Sequence, residues 1–318
     1  MSRVVTCSQS GSDLDRLPGI RFINRAELVR RLSTVLPNDG ICDPIPGLRI
    51  ARASAPTERV FGVSRPSLWV IAQGVKEVNV ADNLYRYDPE HFLLATVELP
   101  LTGRIVEATP GLPYLSLRVE LEPSLVGSVM IEAGISTPQG SQGEAKAILV
   151  SPLGSDILET VLRLVRLLGA QREAGVLLPL ARRELVFRLL SNEQVSRLRN
   201  LPRLGGHTDR IAKAVDQLNR HFDQSLSVEG IAKDLGMSVS GFHDHFKRVT
   251  DMSPLQFQKQ LRLQEARRLM LGESLDASTA GHRVGYDDPS HFSRDYKRHF
   301  GNSPIRDVER LRSMALGD

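Results

Sequence analysis

The sequence predicts an α+β chain, a small β-barrel with attached helices followed by an all-α domain, and three observations predict it. Short alternating segments separated by turn residues fill positions 40–122. From Ser155 the apolar period becomes that of a helix. Beyond about residue 208, two helical stretches repeat one another at an offset of fifty residues.

A length of 318 residues suits about two domains. The 41% hydrophobic and 25% charged content is that of an ordinary globular protein. No run of about eighteen apolar residues exists, so no membrane-spanning helix is expected. Met1 to Leu17 is polar and lacks the apolar stretch of a secretion signal, which predicts a cytoplasmic protein. Two cysteines, Cys7 and Cys42, cannot build a disulfide framework, in keeping with a reducing compartment. Along the chain the expected order is an N-terminal arm and helix (1–39), the barrel with its C-terminal helices (40–200), a linker (201–208) marked by Pro202, Gly205 and Gly206, and the helical domain (209–310).

Within the β region the clearest segment is Tyr114-Leu-Ser-Leu-Arg-Val-Glu-Leu-Glu122. Leu115, Leu117, Val119 and Leu121 share one face; Ser116, Arg118, Glu120 and Glu122 share the other, the pattern of a half-buried antiparallel strand. Leu68–Ala72, Glu77–Val80, Leu84–Tyr87 and Phe92–Glu98 are similar, with turn signals at Gln73-Gly74, Ala81-Asp82-Asn83, Asp88-Pro89 and Thr109-Pro110-Gly111. Ile157, Leu158, Val161, Leu162, Val165 and Leu168 then form a helical stripe, and Leu177–Leu190 carries another. These helices either cap the barrel or pair with a second subunit. After the linker, Ile211, Val215, Leu218 and Phe222 recur at helical spacing behind a Thr208 cap.

The repeat is the most informative feature. Phe242-His-Asp-His-Phe-Lys-Arg248 matches Phe292-Ser-Arg-Asp-Tyr-Lys-Arg298, and Ser253-Pro254 matches Ser303-Pro304. Upstream, Ile231–Gly236 aligns with Ala280–Gly285 after a one-residue slip in the turn. Each copy has a short helix (Val228–Leu235, or about Asp276–Val284) ending at a glycine able to adopt a left-handed turn conformation. A cap follows, Ser238 in one copy and Asp288 with Pro289 in the other. The next helix then buries an aromatic pair four residues apart and leaves a polar face outward. These are the parts of a helix-turn-helix, a unit that lays its second helix in a DNA major groove. Bulk charge adds nothing: residues 201–318 hold 18 basic and 16 acidic residues, the remainder 23 and 21.

Residues 209–310 resemble the DNA-binding domain of the AraC/XylS family of regulators, in which a long helix, here about Pro254–Leu271, joins two helix-turn-helix units (about 228–249 and 276–299). Gly285-Tyr-Asp-Asp-Pro-Ser-His-Phe-Ser-Arg-Asp-Tyr-Lys-Arg-His-Phe-Gly-Asn-Ser-Pro304 is similar to the family signature. Pro66-Ser-Leu-Trp-Val-Ile-Ala-Gln-Gly74, with Tyr87-Asp-Pro89 and Val97-Glu-Leu-Pro100, resembles the cupin-like N-terminal domain of one subgroup. The resemblance implies a transcription activator whose partners are double-stranded DNA and RNA polymerase. It assigns Ser240, His243, Asp244 and Lys247 to one groove, and Ser290, His291, Ser293, Arg294 and Lys297 to the next. Lys247-Arg248 and Lys297-Arg298 occupy equivalent places where phosphates are met. Arg294 is the foremost base reader, since a guanidinium holds guanine O6 and N7 bidentately. The matching Asp244 can only accept, as from a cytosine amino group, and repels phosphate.

For the barrel the expectation is a small-molecule effector, with Trp69, Arg118 and Cys42 as candidate contacts; control by abundance or protein partners is the alternative. The stripes at 157–168 and 177–190 suit a homodimer interface, with core packing the equal alternative. A metal-dependent cupin enzyme needs converging His and carboxylate ligands, whereas this domain has only His91. No catalytic residue, metal or cofactor is therefore expected.

Overall fold

A computed structural model describes residues 18–135, 147–192 and 207–315. It forms two compact units, one made mainly of residues up to Asp209 and one mainly of residues from Arg210. Much of the expected linker lies outside the described residues.

In the first unit, helix α1 (Pro18–Val35) precedes ten strands: β1 (Gly40–Ile45), β2 (Leu48–Ala53), β3 (Val60–Ser64), β4 (Ser67–Gln73), β5 (Val75–Val80), β6 (Asn83–Tyr87), β7 (His91–Ala95), β8 (Leu99–Glu107), β9 (Tyr114–Glu120) and β10 (Ile148–Pro152). Helix α2 (Pro123–Glu132) separates β9 from β10, and α3 (Ser155–Leu167) and α4 (Gln171–Ser191) follow. The strands form a six-stranded sheet, β1-β2-β9-β4-β7-β10, and a four-stranded one, β3-β8-β5-β6. Gly74, at φ +87°, turns β4 into β5; a Cβ there would press on the Glu107 carbonyl and the Tyr114 backbone.

Register decides what each face does. Leu68 pairs with Val119 and Val70 with Leu117, so these leucines and valines share one face of the larger sheet with Leu48, Ile50, Phe92 and Leu94. Helices α1 to α4 cover that face, and all of it merges into one buried apolar cluster. Each such side chain contributes about 1.5–3 kcal/mol by leaving water, so this layer is the unit's main stabiliser. The other face, where Trp69 pairs with Arg118 and Ile71 with Ser116, looks toward the smaller sheet. The polar side of β9 therefore lines the space between the sheets, while Glu122, past the end of the strand, is exposed at the start of α2.

Several expectations need correction. The segment predicted as Phe92–Glu98 stops as a strand at Ala95. Strand β10 and helix α2 were not foreseen: β10 is a five-residue stretch of the sheet's edge that ends on Pro152, and α2 has too few polar residues to display a face. The α3 stripe is buried as core, apart from Leu168, which sits just past the helix end. Helix α4 buries Ala181, Leu185, Val186, Leu189 and Leu190, while Val176, Leu180 and Phe187 are exposed.

The second unit contains α5 (His207–Arg220), α6 (Val228–Asp234), α7 (Val239–Thr250), α8 (Pro254–Gly272), α9 (Ala277–Arg283), α10 (Pro289–Phe300) and α11 (Pro304–Ala315). Thr208 lies inside α5 instead of capping it, and Phe222 lies beyond its end, partly buried against the second copy's core. The repeat is structural: α6 and α9 have seven residues each, α7 and α10 twelve. The one-residue slip is an extra residue in the second turn.

Candidate nucleic-acid interface

Both turns form as the glycine spacing requires. Gly236 and Gly285 sit at φ +62° and +86°, a left-handed conformation that other residues adopt at a cost. Ser238 then caps α7 by accepting from Gly241 N at 3.1 Å, and Asp288 caps α10 by accepting from Ser290 N at 2.8 Å. That N–H bond holds the Asp288 carboxyl below its ordinary pKa. Pro289 supplies the first residue of α10, where no backbone donor is needed.

Anchoring follows from the aromatic pairs. Phe242 and Phe246 are fully buried with rings 5.6 Å apart, and Phe292 and Tyr296 likewise at 5.5 Å. Each pair fixes the rotation of its helix, and so fixes which side chains face outward. On α7 those are Ser240, Asp244, Lys247 and Arg248, with His243 half-buried. On α10 they are Ser290, His291, Arg294, Lys297 and Arg298, with Ser293 half-buried. Thus each helix gathers its expected set on one polar side. Among the described residues no carboxylate forms an ion pair with Arg294, Lys247 or Lys297. Arg248 instead donates to the Asp244 carbonyl at 3.3 Å. Arg298 lies 3.9 Å from Asp295.

Beneath α10 sits a polar frame that residue patterns alone did not reveal. Asp295 is 4% exposed and accepts from Lys259 of α8 at 3.2 Å, with His291 and the Tyr286 hydroxyl both at 3.5 Å. Its signal was a carboxylate on the apolar stripe of Phe292, Tyr296 and Phe300. Deeper still, Asp307 accepts two bonds from Arg267, at 2.8 and 3.0 Å, and one from the Tyr296 hydroxyl at 2.9 Å. Arg262, also on α8, donates to the Phe222 and Gln224 carbonyls on one side and to the Gly285 carbonyl, at 2.7 Å, on the other. One guanidinium thereby ties the chain before the first helix-turn-helix to the turn of the second.

In the barrel unit, Trp69 and Arg118 adjoin between the sheets, the guanidinium 5.8 Å from the ring centre. Cys42 lies apart from them, packed against the helix-covered cluster, and burial raises its thiol pKa. His91 bonds Asp88 at 2.8 Å, and among the described residues no three His, Cys, Asp or Glu side chains converge as a metal site.

Comparison with known proteins gives consistent findings. Residues 44–197 match the model described as AraC-type transcriptional regulator N-terminus, and residues 231–310 match a helix-turn-helix domain. The HTH-type transcriptional activator RhaS of Escherichia coli is 29% identical over 161 residues, half of this chain and 57% of RhaS. The Salmonella schwarzengrund RhaS is 28% identical over 167 residues, again 58% of its length. This chain thus spans little more than half of the curated relatives it matches. Among solved structures, ToxT from Vibrio cholerae O395 is 11% identical, with a TM-score of 0.51 over 82% of this chain and 96% of that one, a likeness of fold. An unsaturated fatty acid-bound ToxT gives 0.50 at 10% identity, over 85% and 95%. Two family-model matches in sequence order, which together span most of the chain, lead to one conclusion: the chain belongs to the AraC family of transcriptional regulators.

Proposed function

We propose that this protein is a sequence-specific DNA-binding regulator of transcription, an effector-responsive activator that reads two successive major grooves with α7 and α10. Chief support comes from two anchored helices of equal length that turn exposed cations and hydroxyls outward, Lys247 and Arg248 on one matching Lys297 and Arg298 on the other. Arg294 reads a guanine through O6 and N7, while Ser290, His291 and Ser293 line the same groove. Lys297 and Arg298, with Lys247 and Arg248, meet phosphates. Ser240, His243 and Asp244 face the other groove, where Asp244 makes α7 more an anchor than a reader.

Binding titrations on cognate and single-mismatch duplexes test this assignment. Arg294→Ala is expected to cost about 1–3 kcal/mol at one base pair and to relax specificity there. Lys297→Ala should weaken all sites evenly and reduce the salt slope. An even loss across all sites for Arg294→Ala removes its role as base reader.

The effector part is supported by buried polar groups without partners between the sheets, Trp69 Nε1 and Arg118 Nε among them. Control by abundance or protein partners alone is the second reading; a metabolite that shifts the melting temperature and the DNA affinity of the full chain excludes it. RNA polymerase is the partner that an activator of this family requires. A second copy docks on the exposed Val176, Leu180 and Phe187 of α4. A cupin-type enzyme has the least support, with His91 alone in the barrel unit.

A further inference from the structure

Between the two sheets of the first unit stands a lysine with no described counter-ion. Lys76 shares the inner face of β5 with Val78 and Val80 and pairs across to Tyr87 on β6. Its Nζ is 4.6 Å from the centre of the Trp69 ring. Gly103, opposite Val78 on β8, leaves room for its stem, since a Cβ there would come within 2.9 Å of Lys76 Cε. The other charges nearby are accounted for. Arg118 donates to Glu120 at 2.8 Å and Arg49 to Asp43 at 2.7 Å, while Arg65, largely exposed, reaches only to 4.0 Å from Glu120. Lys76 is the charge left over.

Donors dominate this space. Trp69 Nε1 and Arg118 Nε are buried without a partner. The Tyr87 and Tyr114 hydroxyls are buried too, close enough to influence each other's ionisation yet without a hydrogen bond of normal geometry. Ile71, Val78, Val80 and Leu93 supply apolar walls. Unpaired buried cations and donors are unfavourable. A neutral polyol would satisfy the donors and leave the charge; a dianion would exceed it.

We propose that the space between the sheets takes a small monocarboxylate with an apolar body, its carboxylate held by Lys76 and by the N–H groups of Arg118 and Trp69. The assignment rests on the effector reading above and gives that effector its chemical class. Burial, with Arg118 adding to it, lowers the Lys76 pKa from 10.5 to about 8, so the ammonium is still charged at neutral pH. Between those two values the folded state holds fewer protons than the unfolded one. Ligand-free protein therefore gains stability as pH rises from about 8 towards 10.5.

Trp69 is the only tryptophan, so its emission reports from the site itself. The full-length protein is titrated at pH 7 with octanoate and benzoate and with the matched neutral octanamide and benzamide. At least one acid should change the emission saturably, and its amide should bind about tenfold or more weakly. Lys76→Met should lose the acid by a similar factor, melt no lower than the parent and lack the alkaline gain in stability. Lys76→Gln serves the same comparison if the Met variant does not fold. Amides binding as well as acids, a Lys76 variant that keeps acid affinity, or no emission change with either acid up to its solubility limit overturns the proposal. An acid that binds at Lys76 but leaves DNA affinity unchanged upholds the site and refutes the effector reading instead.

Discussion

Gly236 and Gly285 occupy equivalent turns, yet replacing each with alanine should have unequal consequences. At Gly236 nothing lies within 4 Å of where a Cβ would stand, so the variant bears only the strain of a left-handed residue, about 1–2 kcal/mol. At Gly285 the same strain is joined by a collision with the Asp223 backbone carbonyl and a 2.8 Å approach to Arg262 Nη2. Neither neighbour is free to yield, because Arg262 is held by the Phe222, Gln224 and Gly285 carbonyls. Overpacking of about 1–3 kcal/mol and weakened charge-assisted bonds bring the total to about 3–5 kcal/mol. Urea unfolding of the full chain measures this, with far-ultraviolet circular dichroism following the helical unit and Trp69 emission following the barrel unit. The expected result is an earlier helical transition for Gly285→Ala, a small shift for Gly236→Ala and an unmoved tryptophan transition for both. Equal losses at the two glycines would refute the reasoning, since backbone strain alone would then explain both.

Other outcomes follow from buried or exposed groups. Asp307→Ala leaves Arg267, 11% exposed, without its partner and should cost about 3–5 kcal/mol in the same urea experiment; a loss below about 1 kcal/mol would mean the pair is compensated. The Arg166 and Arg31 guanidiniums bonded to Glu27 lower its pKa from 4.5 to about 2. A depressed carboxylate stabilises above its unfolded pKa, and that stability fades as pH falls from 4.5 towards 2. Glu27→Gln should therefore flatten the acid limb of the melting curve in that window, leaving its shape near pH 7 unchanged. If the proposed dimer forms through α4, serine at Val176, Leu180 and Phe187 together should turn it into a monomer by light scattering without lowering the melting temperature; a parent that is already monomeric, or a variant of unchanged mass, would refute that interface.

Much of the helical unit was legible in the sequence, because its signals are local. Glycine turns, Ser238 and Asp288 caps, and aromatics four apart each act within one or two helical turns, and the fifty-residue repeat doubles them. The supporting frame was not legible, since Asp307 looks like a surface acid and Asp295, though on the apolar stripe, gives no sign of its partner in the frame until α8 brings Arg267 and Lys259 against them. In the barrel, alternation identified β9 correctly but left its polar face ambiguous, for a strand facing water and one facing a polar interior share the same period. Lys76 escaped notice for a similar reason: a lysine in a short strand ordinarily reads as a solvated residue.

Arg262 bears on how this protein's binding sites can evolve. Because one side chain on α8 clamps both the chain before the first helix-turn-helix and the turn of the second, α7 and α10, reading DNA as proposed, are expected to act as one rigid reader. A single base pair inserted between the half-sites shifts the second by about 3.4 Å and rotates it by roughly 35°. A rigid reader cannot follow that change, whereas it tolerates point substitutions one contact at a time. Its operators should therefore drift freely in sequence and hardly at all in spacing.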